Sequence, residues 1–211
     1  QMAKEGEALE RLDHPNIVQT RGHGPLPDGG YYIAMELLEG ASLTEFIREN
    51  DTGPERSVQL LLQICSALRH AHRKGIVHRD LKASNLIVVK DERGRARVKL
   101  IDFGLVKFVD DTEHTGDRPI MGSVHTIAPE QVKSAPVDHR ADIYAVGVLL
   151  FTALTGRYPF HGPDAVSTIA AHLNEPIPSL DSAHPDFAGP ALLDQVVKGC
   201  LAKLPEQRYQ S

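Results

Sequence analysis

The stretch His78-Arg79-Asp80-Leu81-Lys82-Ala83-Ser84-Asn85 decides the fold, because it packs charged and polar groups between two apolar segments. A carboxylate can orient a hydroxyl, a lysine can offset phosphate charge, and an amide oxygen can hold a divalent metal. Taken singly, Asp80 or Asn85 is better explained as part of a solvated turn, since turns are rich in such residues. The octet as a block favours a phosphoryl-transfer site.

A second carboxylate follows in Asp102-Phe103-Gly104, directly after a segment whose alternate positions are apolar. This alternation is typical of a strand with one buried face, so Asp102 is placed at a strand end. Mg²⁺ prefers oxygen ligands and usually bridges one or two protein groups to substrate phosphates. Asp102 and Asn85 therefore form a chemically sensible metal-binding pair.

A third block, Ala128-Pro129-Glu130, sets a carboxylate among apolar residues. A buried glutamate needs a cation, and Arg208 is the candidate. Glu5 raises the same problem near the amino terminus, because it shares the face of a predicted helix with apolar residues.

Hydrophobic periodicity predicts the remaining elements. Ser42 and Glu45 form a predicted capping box, and Pro54 begins a long helix that Gly75 ends. Between the Asp-Phe-Gly block and about Pro129 periodicity disappears, and a gap of that length indicates function. We predict strands at 17–18, 31–38, 86–89 and 96–101, with a polar turn from Asp91 to Arg95 between the last two. We also predict helices near 140–154, 163–173 and 190–202, and a glycine- and proline-rich separator over 22–30.

The composition of the chain excludes several classes of protein. The formal net charge of -5 gives no electrostatic footprint for nucleic acid or anionic membrane. Cys65 and Cys200 lie in helical patterns and are predicted to be buried thiols in a reducing cytoplasm. The apolar run 143–154 is too short to span a membrane and reads as a core helix. No signal-peptide layout opens the chain, which starts within a helical pattern and looks truncated.

These blocks, in this order, resemble the catalytic lobe of the eukaryotic-type serine/threonine protein kinases, over nearly the whole chain. The resemblance implies an α+β, two-lobed fold with a truncated small lobe and a mainly helical large lobe. It implies that Asp80 is the catalytic base, Lys82 the phosphate-contacting lysine, and Asn85 and Asp102 the metal-binding residues. The run 154–162 is similar to bacterial members of the family.

The same resemblance assigns the nucleotide pocket. Glu5 would be the glutamate that pairs with an ATP-anchoring lysine, with an exposed helix-end glutamate as the alternative. Met35 resembles the gatekeeper, and the backbone of the hinge, from Glu36 to Leu38, would bind adenine. Ile87 would form the floor of the adenine pocket, although a purely core role stays open. Leu9, His78 and Phe103 would stack into the regulatory spine.

Regulation and substrate choice are implied less fully. Arg79 would bind a phosphorylated residue of the activation loop, with Thr115 the first candidate and Thr112 the second. Asp142 resembles the aspartate that anchors the catalytic loop, a role compatible with a helix cap. Ser123 and Thr126 stand where the family usually has threonine and an aromatic residue, so the peptide preference stays open.

We expect residues 1–38 to be the remnant of the small lobe, 36–40 the hinge, and 41–211 the large lobe. The expected function is transfer of the γ-phosphate of ATP to serine or threonine in proteins, with Mg²⁺, in the cytoplasm or tethered to a membrane. Autophosphorylation through self-association is expected. The alternatives are a pseudokinase scaffold and a small-molecule phosphotransferase. We expect this chain alone to be inactive, because no glycine-rich loop or strand lysine precedes Glu5.

Overall fold

The computed structural model describes residues 6, 9–50, 53–102, 123–133, 135–185, 187 and 189–211. Three strands, two α-helices and two further strands lie before residue 101, and the elements in the described residues beyond it are all helical. In chain order they are β1 (Thr20–Pro25), β2 (Tyr31–Met35), β3 (Gly40–Ser42), α1 (Leu43–Asn50), α2 (Pro54–Arg73), β4 (Leu86–Lys90), β5 (Ala96–Leu100), α3 (Pro129–Val132), α4 (Arg140–Thr155), α5 (Ala165–Asn174), α6 (Leu180–Ala183) and α7 (Ala191–Leu201).

The small lobe contains the antiparallel hairpin β1–β2, which pairs Pro25 with Tyr31 and Thr20 with Met35 around an irregularity next to Gly22. The predicted separator 22–30 is therefore wrong in its first half, because part of it belongs to β1. Ladder hydrogen bonds to β2 outweigh the weak strand propensity of glycine. The turn itself is closed by the Leu26 amide, which donates to the Gly30 carbonyl at 2.8 Å.

A second, antiparallel sheet has the strand order β3–β4–β5. The predicted strand at 17–18 proves to be an isolated parallel bridge between Ile17 and Leu100. The Val18 amide donates to the Leu100 carbonyl at 2.9 Å, and the Leu100 amide donates to the Asn16 carbonyl at 2.8 Å. β5 thus ties the chain that leads into the small lobe to the large lobe.

Two predicted local motifs are confirmed. The Glu45 carboxylate accepts hydrogen bonds from both the amide and the hydroxyl of Ser42, at 2.9 and 2.8 Å, which is the capping box of α1. The turn between β4 and β5 is held by Asp91, whose carboxylate accepts from the Arg93 and Arg95 amides at 2.9 Å each. Both motifs are local, so sequence spacing sufficed to find them.

The long helix α2 is confirmed, with Pro54 in its first turn and Gly75 at φ 72° just beyond its end. Its buried face is narrower than the apolar pattern, because Leu62 is 61% exposed and Cys65 is exposed. The prediction of a buried Cys65 is therefore wrong, whereas Cys200 is buried as predicted. The buried residues of α2 are Ser57, Leu60, Leu61, Ile64, Ala67, Leu68 and Ala71.

The central helix α4 is buried on nearly all sides, which confirms the core helix predicted from its apolar run. It packs against α2 and α7. Gly147 permits the close approach of α7, since a Cβ at this position would lie 2.6 Å from Cβ of Cys200. In the described part of the chain, no helix combines the length and the apolar character needed to cross a membrane.

Candidate active site

The loop that carries Asp80 is anchored by Asp142, a carboxylate 1% exposed in the first turn of α4. It accepts hydrogen bonds from the amides of His78 and Arg79 at 2.9 and 2.8 Å, and one from Nε2 of His72 at 2.7 Å. Burial raises the pKa of Asp142, but the hydrogen bond from His72 and the attraction of His78 outweigh burial and lower the pKa overall. Asp142 is therefore an ionised anchor for the loop.

His78 lies at the centre of the site and is completely buried. Burial lowers its pKa, against the opposing effects of the Asp142, Asp80 and Asp102 carboxylates and of a hydrogen bond with the Ile101 backbone. The amide of Asp80 donates to Nδ1 of His78 at 3.3 Å. His78 thus connects the loop with the end of β5.

Two residues of the site have left-handed backbone conformations, Arg79 at φ 65° and Asp102 at φ 56°. Such conformations are uncommon for residues other than glycine, and they cluster where a structure must aim a functional group. The Arg79 carbonyl accepts from Nε2 of Gln131 at 2.8 Å, and its guanidinium donates to the Val137 carbonyl at 3.2 Å. Contacts with α3 and with the segment before α4 therefore stabilise the left-handed backbone conformation of Arg79.

Asp80 is the hub of the polar contacts. Its Oδ2 lies 2.8 Å from Nζ of Lys82, and its Oδ1 accepts from the amide of Ser123 at 2.9 Å. Its backbone carbonyl accepts from Nδ2 of Asn85 at 3.1 Å. The structure therefore brings together Asp80, Lys82 and Asn85 as predicted, and it adds the amide of Ser123.

Asn85 and Asp102 are brought to the same edge of the sheet. The Ile101 amide donates to the Asn85 carbonyl at 2.9 Å, so Asp102 is the next residue after this contact. Because the amide nitrogen of Asn85 is bound to Asp80, its side-chain oxygen is the atom left for a metal. Oxygen ligands of this kind fit Mg²⁺, which completes its coordination with water and substrate phosphates. Over the described residues, no cluster of three His, Cys, Asp or Glu side chains forms a metal site by itself.

At the predicted hinge, the side chain of Glu36 points to β5 and not to the cleft. Its carboxylate lies 2.6 Å from Nζ of Lys99 and accepts from the Gln19 amide at 2.8 Å. Burial raises the pKa of Glu36, but the hydrogen bonds from Lys99 and Gln19 outweigh it and lower the pKa overall. The Glu36 amide also donates to the Gln19 carbonyl. The side chain and the amide of Glu36 are therefore both engaged in contacts within the protein.

The other predicted pocket residues flank the hinge. Ile87 is half-buried in β4, between the fully buried neighbours Leu86 and Val88. Side chains alternate along a strand, so Ile87 lies on the face opposite the core. Met35 is 45% exposed at the end of β2, and Leu38 is half-buried beyond it. Ile87 therefore does not share the face of β4 that carries Leu86 and Val88, and its role in a nucleotide pocket stays a prediction.

The predicted ion pair between Glu130 and Arg208 is confirmed. Two hydrogen bonds of 2.7 Å join the guanidinium to both carboxylate oxygens, and the two residues are 5% and 4% exposed. Arg208 also donates to the carbonyls of Ala202 and Arg140, at 2.7 and 2.9 Å. The pair fastens α3 to the turn at Pro205–Gln207, which follows α7.

Several predicted residues lie outside the described residues. They are Glu5, Phe103, Gly104, Thr112 and Thr115. Their assigned roles stay predictions.

Sequence reasoning missed His72 and Gln131. His72 lies in the last turn of α2, where nothing in the pattern distinguishes it from other surface polar residues. Gln131 accepts from the Ala128 amide at 3.0 Å, in the reciprocal half of a capping box. The usual pattern that reveals such a box is absent, because alanine stands where serine or threonine is expected.

The chain is similar to known proteins over its full length. A family model described as the protein kinase domain matches residues 1–211. The serine/threonine-protein kinase PrkC of Bacillus subtilis is 38% identical over 209 residues, covering 99% of this chain and 31% of that protein. A probable serine/threonine-protein kinase PknB of Lactococcus lactis is 36% identical, covering 98% of this chain and 32% of that protein.

A third relative, the serine/threonine-protein kinase pkn3 of Myxococcus xanthus, is 35% identical and is matched over 39% of its own length. The chain thus spans about a third of the length of these curated bacterial relatives.

Proposed function

Because this chain belongs to the protein kinase domain family, we propose that the protein is an ATP-dependent serine/threonine kinase. Its fold is the α+β fold of that family, with a small lobe that contains a sheet and a helical large lobe. The reaction proposed is transfer of the γ-phosphate of ATP to serine and threonine hydroxyls of proteins. The named serine/threonine kinases among the relatives support this acceptor class.

One observation carries the proposal. The Asp80 carboxylate contacts Lys82 through one oxygen and the Ser123 amide through the other, while its own carbonyl holds Asn85. The carboxylate is therefore fixed in orientation before any substrate arrives. Fixed orientation is the main contribution that a protein makes to phosphoryl transfer.

In the proposed mechanism, the Asp80 carboxylate accepts a hydrogen bond from the attacking hydroxyl and takes its proton. Lys82 offsets the negative charge that develops on the transferred phosphoryl group. Asn85 and Asp102 would hold Mg²⁺, which neutralises phosphate charge when bound. The Glu36 carbonyl and the Leu38 backbone would receive adenine above Ile87.

The proposal includes regulation by phosphorylation. Arg79 would bind a phosphate on Thr115 or Thr112 after autophosphorylation between two copies of the protein. The proposal places the domain in the cytoplasm, where free thiols such as Cys65 and Cys200 stay reduced. A pseudokinase would be expected to lose the base or a metal ligand, and this chain has Asp80, Asn85 and Asp102.

The test is transfer of radiolabelled γ-phosphate by the full-length protein, both to itself and to a generic basic protein. We expect Asp80→Asn and Asp102→Asn each to reduce labelling by about 100-fold or more. Asp181→Asn, which changes an exposed aspartate of α6, is the matched control and should label as the wild type does. Equal labelling by all four proteins would refute the assignment.

A further inference from the structure

The segment that follows the Ser123 amide is fixed beside the proposed base. Ser123 donates its amide hydrogen to Asp80 at 2.9 Å, and the Thr126 amide closes a turn onto the Ser123 carbonyl at 3.0 Å. Thr126 is buried, which anchors the other end of this turn. A residue spans at most about 3.6 Å of chain, so His125 begins within about 7 Å of the Ser123 position. A substrate whose hydroxyl reaches Asp80 therefore has its neighbouring residues close to His125.

Three rings form a stack that includes the side chain of His125. We call it the ring stack and define it as His125, Tyr158 and His161. The rings of His125 and Tyr158 are nearly parallel, at 8°, with centroids 4.3 Å apart. The His161 ring lies 6.0 Å from that of His125, at 27°. Tyr158 is 42% exposed, and His161 is also exposed. Two of the three rings are thus accessible to solvent, and the third belongs to the residue two positions after Ser123.

The segment that supplies Tyr158 and His161 is held rigidly. Phe160, which lies between them, is 1% exposed and packs 5.0 Å from the ring of His172. Nζ of Lys203 lies 3.6 Å from the centroid of the Phe160 ring. The ring stack is therefore a built surface, because buried contacts fix both of the segments that form it.

The chemistry of the ring stack favours an uncharged partner. Burial, together with the neighbouring His161, lowers the pKa of His125, so the neutral imidazole is favoured near neutral pH. Within the described part of the chain, Nδ1 of His125 is buried without a hydrogen-bond partner, which also disfavours a second ring N–H. The ring stack itself contains no carboxylate, so it offers no counter-charge of its own to a basic substrate residue. Flat, neutral rings bind other rings by offset stacking.

We propose that the ring stack is a specificity subsite that receives a planar, uncharged side chain located within two residues of the phosphorylated serine or threonine. This inference rests on the proposed kinase function and names the substrate class of the same site. His125 and His161 act here as specificity-determining residues, distinct from the residues that act on the phosphoryl group.

The test uses the full-length protein and serine peptides with alanine at every flanking position. Phenylalanine, glutamate or arginine replaces one alanine at a time, from two residues before the serine to two residues after it. The readout is the ratio of kcat/KM for each peptide to kcat/KM for the all-alanine peptide. Both values in a ratio are measured with the same protein variant, so a change in that variant's overall activity cancels. For the wild type, we expect phenylalanine at one position to raise the ratio about tenfold, with no gain from glutamate or arginine.

Substitutions in the ring stack test whether these rings cause the preference for phenylalanine. His161→Ala, which alters an exposed residue, and His125→Ala should each bring the phenylalanine ratio to within about twofold of unity. His125→Phe should restore most of the preference, because a phenyl ring keeps the flat surface. His184→Ala, an exposed histidine after α6, should leave the ratio of the wild type unchanged.

A wild-type protein that phosphorylates every peptide equally well would overturn this inference alone. A preference for glutamate, or a phenylalanine preference that survives in both alanine variants, would do the same. If the full-length wild-type protein phosphorylated neither the peptides nor itself, the proposed function would be overturned, and this inference with it.

Discussion

Replacing Asp142 with asparagine tests the central structural claim, that one buried carboxylate holds the loop that carries Asp80 in its strained conformation. The carboxylate accepts three hydrogen bonds, from the amides of His78 and Arg79 and from the ring of His72. Asparagine is nearly the same size, so packing is kept. Its single oxygen cannot accept all three donors, and its NH₂ group adds a donor where acceptors are needed.

The expected loss follows from these contacts. At least one buried N–H loses its acceptor, which costs about 1–3 kcal/mol. The remaining hydrogen bonds no longer involve a charged acceptor and are weakened to about half their strength. We expect the loop to be destabilised by about 3 kcal/mol in total, which corresponds to a factor of about 100 in the opening equilibrium.

The assay is native-state hydrogen exchange of the His78 and Arg79 amides in the full-length protein, because these amides donate directly to Asp142. Their protection should fall about 100-fold in Asp142→Asn, and phosphotransfer should fall at least about tenfold. Asp138→Asn is the matched control, since Asp138 pairs with Arg140 on the partly exposed side of the same helix start. That variant should change protection by less than about fivefold. Unchanged protection in a folded Asp142→Asn protein would refute the reasoning.

Two further predictions concern buried ionisable groups. Glu130→Gln leaves the buried guanidinium of Arg208 without its counter-charge, so it should lower the free energy of unfolding of this domain by about 3–5 kcal/mol in urea. The double variant with Arg208→Met should recover part of this loss, and a single-variant loss below about 1 kcal/mol would contradict the buried pair. The second prediction concerns His172, whose pKa is lowered from 6.5 to about 4 by burial and by the positive charge of Lys203. Between these two pH values, the His172 side chain is protonated in the unfolded protein and neutral in the folded protein. Stability should be complete above about pH 6.5 and should decline by about 3 kcal/mol toward pH 4, with a flatter profile in His172→Gln; identical profiles would exclude His172 as the cause.

Local patterns were sufficient for the elements whose partners are near in sequence. The capping box at Ser42, the helix from Pro54 and the turn held by Asp91 all depend on contacts within four residues, which spacing reveals. The core helix α4 was predicted for a different reason, because an all-apolar run can be satisfied only by burial on every side. The boundary of β1 was missed, because its hydrogen bonds come from a separate strand.

Sequence alone determined the chemical identity of the site, since the residue types in the block 78–85 and at Asp102 restrict the chemistry before any fold is known. Only the tertiary structure decided which other residues fix the positions of these site residues. The His72 contact with Asp142 joins residues 70 positions apart, and the Ser123 contact with Asp80 joins residues 43 positions apart. Such contacts leave no periodicity in a sequence, because their geometry is set by the packing of whole helices and not by the spacing of neighbours. The same holds for His125 and Tyr158, whose rings meet only after the chain has folded.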